Sequence, residues 1–180
     1  QAASGPSAVL VTSGGGGYHA EARRLRMSAI AAVERLRLEG SRLRLHVVRG
    51  PYGGALEALP DFAEWIDPGP ALPGMLVNYA AVVSHSGYNS THEAIRSGVP
   101  LVLSPGHRET EDQRERATWA AHAGLAHLAD EARPRDVYHA LSRALEDGDA
   151  QRERQLTRYR QVKHWGASVL LASLGVVSSE

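Results

Sequence analysis

Hydrophobic and polar positions along this chain keep two different rhythms. Short apolar runs recur at Ala8–Thr12, Leu43–Val48, Phe62–Ile66, Ala81–Ser84, Pro100–Ser104 and Leu125–Leu128. Runs of that length between turn residues predict buried strands. Between them apolar residues return at helical spacing, as Leu25, Ile30, Val33 and Leu36 do within Ala20–Leu38. Further helices are predicted at Leu72–Asn78, Ser90–Ser97, Glu111–Ala123, Pro134–Leu145 and Asp149–Lys163, and a small-residue segment closes the chain. Gly40, Gly98, Gly124 and Asp147-Gly148 stand where helices should stop. Trp119 is expected to pack inside its helix.

Short apolar strands alternating with helices imply parallel strands joined by right-handed crossovers. The expected fold is α/β: a doubly wound, Rossmann-like parallel sheet of about six strands with flanking helices. Ligands bind such sheets outside the carboxyl ends of the strands, near the point where strand order reverses. The chemically informative loops of this chain all fall at such ends.

Composition narrows the choices. The 180 residues suit a single domain. There is no cysteine, which excludes disulfides and thiol chemistry. Twenty basic and twenty acidic side chains cancel, and no basic stripe carries interleaved aromatics, so nucleic acid is not an expected partner. Glu21–Arg44 holds seven Arg against three Glu, Glu57–Asp67 holds four acids and no base, and Asp149–Lys163 is net basic. Such runs read as solvated helix faces or as contact with a partner domain or acidic membrane surface. The most apolar stretch, Ala167–Val177, is too short to span a membrane. With no signal peptide evident, a cytoplasmic location is expected. The chain starts at Gln1, and Gln1–Ser7 reads as a linker remnant, so an excised piece of a longer protein is expected, with residues 8–180 as its domain.

Three loops carry candidate chemistry. Ser13-Gly14-Gly15-Gly16-Gly17 follows the first strand. Its glycines let backbone N–H groups approach an anion at the next helix start, or simply form a turn. The dinucleotide fingerprint fails, because its third glycine would fall at His19 and the second strand ends in Arg49 rather than an acid. In the second loop, His85-Ser86-Gly87 ends a strand and Asn89-Ser90-Thr91 opens a helix. Ser and Asn there are either N-caps or, with the exposed N–H groups, an anion site. Glu93 is expected in the first turn, where a carboxylate suits the dipole and can accept two hydrogen bonds from a ribose diol. The third loop, Arg108–Gln113, is polar enough to read sugar hydroxyls, or Asp112 caps the next helix. A metal site is not expected, since His92-Glu93 is followed by Arg96 where a second zinc-binding His would stand. No G-x-S-x-G elbow is present.

Val83–Ala117 resembles the donor-binding signature of GT-B glycosyltransferases of family 28, and of family 1. The matching residues are His85, Gly87, Asn89, Ser90, Glu93 and Ala94, then Gly98-Val99-Pro100, Pro105 and Asp112-Gln113, with Gln113–Ala117 and Gly124-Leu125 extending the match. Trp65-Ile66 fits the region that cradles the base in these enzymes, although Trp65 could equally be core. Family 28 members often place Asn where this chain has Arg116, and plant-type members a Gln where Asp67-Pro68 stands.

The resemblance implies the C-terminal, donor-binding half of a GT-B fold in an inverting transferase. Glu93 would hold the ribose. His85, Ser90 and the Asn89–Thr91 backbone would hold the pyrophosphate, with Ser86 and Gly87 also among the donor-binding residues. Ser13, Gly14, Gly15 and Gly16 would close on the distal phosphate or sugar, Asp112 and Gln113 would read the sugar, and Trp65 and Ile66 would flank the base. The reaction implied moves a hexose-type sugar from a nucleotide sugar, a UDP-sugar first, to an acceptor, with no cofactor and no metal required. The catalytic base and acceptor site are expected in an N-terminal domain outside this chain, so nucleotide binding without efficient transfer is the expectation. Peripheral membrane contact would come through the full-length protein. A GT-B-like epimerase or nucleotide-sugar hydrolase, and a stand-alone donor subunit, remain open.

Overall fold

A computed structural model describes residues 7–14, 19–49, 57–67, 69–106 and 113–173, with the side chains of His19 and of residues 162–173 outside the description. Six strands form one sheet: β1 (Ala8–Thr12), β2 (Arg44–Val48), β3 (Ala63–Ile66), β4 (Ala81–Ser84), β5 (Leu101–Leu103) and β6 (His127–Leu128). All pair in parallel in the order β3-β2-β1-β4-β5-β6. The helices are α1 (His19–Leu38), α2 (Leu72–Met75), α3 (Tyr88–Ser97), α4 (Gln113–His122), α5 (Pro134–Glu146) and α6 (Gly148–Ser173). Strand order reverses between β1 and β4, so the carboxyl ends of those two strands frame a crevice.

Successive strand residues point to opposite faces. Val9, Val11, Leu45, Val47, Val83 and Val102 therefore pack against α1 and α5. Leu10, Val82, Leu101 and Leu103 meet α3 and α4 on the other face. Helix α3 stops at Gly98, whose φ of +69° is left-handed and whose N–H donates to Ile95 O.

The structure corrects three expectations. Helix α3 begins at Tyr88, two residues before Ser90, and its N-cap Gly87 makes no side-chain cap. The closing small-residue segment is helical through Ser173 as part of α6. Trp119 is 47% exposed, because α4 turns Ala117 and Ala120 to the core instead.

Helix α6 is also more than a solvated charged helix. Strand β6 is only two residues long, which leaves the N–H and C=O of Leu101 without a ladder partner on that side. The Gln151 side chain fills the gap: Leu101 N donates to its Oε1 at 2.9 Å and its Nε2 donates to Leu101 O at 3.3 Å. One turn later Gln155 Nε2 donates to both Val99 O and Leu125 O. Two buried amides thus extend the sheet edge from a helix.

At the same edge His127 Nε2 lies 3.7 Å from Asp147 Oδ2, too far for a hydrogen bond. Burial, with help from the Arg143 and Arg154 charges, pushes the His127 imidazole below its ordinary pKa, and Asp147 opposes only in part. The unfolded chain therefore takes up this proton at a higher pH than the fold does. The neutral histidine's contribution is fully present above the unfolded value of about 6.5 and is lost as pH falls from there toward the lowered folded value. Thermal melts between pH 7.5 and pH 5 should show a fall that His127→Gln reduces. An unchanged profile in the variant would refute the assignment.

Candidate functional site

The crevice at the β1/β4 reversal is built from both strand ends. Gly14 follows β1 with φ +70° and donates its N–H to Thr12 Oγ1 at 3.2 Å. A Cβ placed on Gly14 would stand 3.9 Å from Ser90 Oγ, so the start of the glycine run faces the first turn of α3. Ser13 is half-buried beside it. Gly15, Gly16 and Asp112 lie outside the described residues.

After β4 the chain turns through His85-Ser86-Gly87. His85 is only 5% exposed, and its Nδ1 lies 2.8 Å from Ser104 O. A carbonyl only accepts, so Nδ1 carries the proton and donates. Nε2 is left buried, with no hydrogen-bond partner among the described residues. A buried polar atom without a partner is uncommon and calls for a water, an ion or a ligand group to satisfy it. Ser86 Oγ donates to Gln113 O at 2.6 Å, and Arg116 Nη1 donates to Ser86 O at 2.5 Å, so α4 holds this loop by two bonds.

The first turn of α3 presents its backbone N–H groups to the crevice, with Thr91 N donating to Gly87 O as the first intrahelical bond. Ser90 Oγ donates to Gly87 O at 3.2 Å, and Asn89 is exposed. Thr91 is buried, its Oγ1 unpartnered among the described residues. Because α3 starts at Tyr88, Glu93 falls in the second turn, and no acid occupies the first. It is half-exposed. Helical side chains lean toward the N-terminus, so the Glu93 carboxylate still covers the turn that faces the crevice.

Other expected residues are placed differently from one another. Gln113 is buried, and its Oε1 accepts from Gly106 N at 2.9 Å, which turns that oxygen inward. Trp65 packs on the α1 face, where its Nε1 donates to Glu57 O and Arg26 lies 5.1 Å from its ring. Arg23 and Arg26 both bond Glu57 and hold its carboxyl below the ordinary range. Ile66, the next residue in the strand, packs on the opposite face. The two side chains are therefore not brought together.

Three residues at the site escaped the sequence reading. Glu21, from the first turn of α1, reaches across to Gly106. A Cβ on Gly106 would stand 3.0 Å from Glu21 Oε2, 3.1 Å from Gln113 Oε1 and 3.5 Å from His85 Nδ1. Tyr88 is 60% exposed at the head of α3, stacked at a tilt on His92. Arg116 was visible only as a departure from a family pattern. The signal for Tyr88 was present as an aromatic within an otherwise polar strand-end loop. Glu21 gave none, because its approach depends on how the start of α1 meets the loop after β5.

The crevice thus brings together the start of the glycine run, the first turn of α3 and buried His85, with the Glu21 carboxylate near His85 at Gly106. Among the described residues no group of three or more His, Asp or Glu side chains could hold a metal ion. No described helix is long and apolar enough to cross a membrane.

Comparison with known proteins identifies the family and the fold. Residues 10–170 match the family described as glycosyltransferase family 28 C-terminal domain. Over 66 residues, 37% of this chain and 14% of the relative, the chain is 42% identical to the O-mycaminosyltylonolide 6-deoxyallosyltransferase of Streptomyces fradiae. The kitacinnamycin glycotransferase shares the fold with a TM-score of 0.71 at 22% identity, over 97% of this chain and 43% of its own. The glycosyltransferase VinC, solved in complex with dTDP, gives a TM-score of 0.63 at 23% identity, over 96% of this chain and 43% of its own. The chain thus spans about two fifths of the solved structures it matches.

Proposed function

The chain belongs to the glycosyltransferase family 28 C-terminal domains, and on that footing we propose that it binds the nucleotide-sugar donor and presents it for transfer. The observation that carries this reading is the crevice at the β1/β4 reversal, where Gly14 faces the first turn of α3 and buried His85 precedes it, its Nε2 without a partner among the described residues. A diphosphate placed there meets backbone N–H groups and the positive end of the helix dipole. His85 Nε2 would share a hydrogen bond with the diphosphate once protonated, its Nδ1 proton being committed to Ser104 O. Glu93 would accept from the ribose.

In the transfer step the acceptor oxygen bonds to the anomeric carbon as the bond to the diphosphate oxygen breaks. The negative charge that develops on the leaving group would fall against the backbone N–H groups at the start of α3. The acceptor proton would pass to a base supplied by an N-terminal domain, so the domain alone binds donor without efficient transfer.

A UDP-sugar is the first reading of the donor. A dTDP-sugar is the second, because VinC was solved with dTDP. Calorimetry with UDP, dTDP and GDP tests both. Tighter UDP than dTDP supports the first, and the reverse order supports the second. No binding of any of the three at millimolar concentration would overturn the donor reading.

A further inference from the structure

Arg116 lies one turn into α4, outside the helix whose N-terminus forms the anion site. Its Nη1 donates to Ser86 O, and its guanidinium carbon stands 5.5 Å from the Tyr88 ring centroid. Ser86 and Tyr88 flank Gly87, where α3 begins. The cation is therefore pressed against the mouth of the helix from a second element, across the loop that also carries His85. A guanidinium has five N–H donors. Ser86 O takes one, and the others have no hydrogen-bond partner among the described residues.

The electrostatics of the site ask for such a group. A helix N-terminus contributes about half an elementary charge, whereas a nucleoside diphosphate leaves with more than two negative charges. Glu21 and Glu93 add negative charge nearby. An arginine matches phosphate geometry with paired N–H groups and stays charged at any relevant pH.

We propose that Arg116 is a diphosphate-binding residue, fixed by Ser86 O and Tyr88 so that its remaining N–H groups meet the phosphates. The proposal rests on the donor reading above. It gives the leaving group a full positive charge that the helix end and His85 do not supply by themselves.

Ligand-observed NMR titration of the full chain with UDP and with uridine, for wild type, Arg116→Gln and Arg116→Lys, separates the outcomes. Arg116→Gln should weaken UDP by about tenfold, the scale of one hydrogen bond to a charged group, and leave uridine nearly unchanged. Arg116→Lys, which keeps the charge, should recover part of the UDP affinity. Equal losses for UDP and uridine would overturn the proposal, because Arg116 would then act only by shaping the loop. No loss in either would also overturn it. Failure of the wild type to bind UDP, dTDP or GDP defeats the donor reading itself, which the two variants cannot mimic.

Discussion

Gln151→Leu is expected to lower the unfolding free energy by about 2–6 kcal/mol, because it strands two buried backbone groups at roughly 1–3 kcal/mol each. Those groups are the N–H and C=O of Leu101, which bond the Gln151 amide and face an edge that β6 is too short to cover. Leucine fills nearly the same volume, so the loss would come from polar groups rather than from a cavity. Equilibrium urea denaturation followed by circular dichroism measures it. A loss under about 1 kcal/mol would mean that water or a shifted backbone satisfies Leu101, and the edge-extension account would fail. The expected cost is large against the ~5–15 kcal/mol of an ordinary domain. The damage would also approach the site, since β5 leads directly to Ser104, whose carbonyl fixes the His85 tautomer.

The same residue shows where sequence reading stops. Glutamines at positions 151 and 155 sit in a run of charged residues and look like a solvated face. Their burial follows from the shortness of β6, a tertiary fact that no local pattern encodes. The strands were legible because parallel strands covered on both faces must be apolar throughout, and the helices because glycines mark their ends. The start of α3 was not, because Ser90 looks like a cap while Gly87 takes that position with no capping side chain. The pairing of Trp65 with Ile66 was misleading for a simpler reason: neighbours in a strand face opposite ways. His85, Ser90 and Glu93 could be named from their motif alone. That Ser86 is tied to α4 by Gln113 and Arg116 depends on how α4 packs against the loop after β4, about 30 residues earlier in the chain.

Glu93→Ala is expected to weaken UDP binding by about 1–3 kcal/mol, the range for hydrogen bonds to a charged group. The loss should depend on the sugar of the nucleotide. UDP carries hydroxyls at both the 2′ and 3′ positions, and one carboxylate can accept from both. dTDP has no 2′-hydroxyl, so Glu93 can accept only from the 3′ position and has less to lose. The variant should therefore lose more affinity for UDP than for dTDP, measured by calorimetry on both proteins with both ligands. No partner holds Glu93 among the described residues, so its removal breaks no internal bond there, and a change in affinity would report on the ligand rather than on the fold. Equal losses for the two nucleotides would mean that the carboxylate does not touch the 2′-hydroxyl. No loss for either would remove Glu93 from the ribose and leave the anion site to act through the α3 backbone and His85. A ribose-dependent loss would give the carboxylate in the second turn of α3 a direct part in choosing between the two candidate donors.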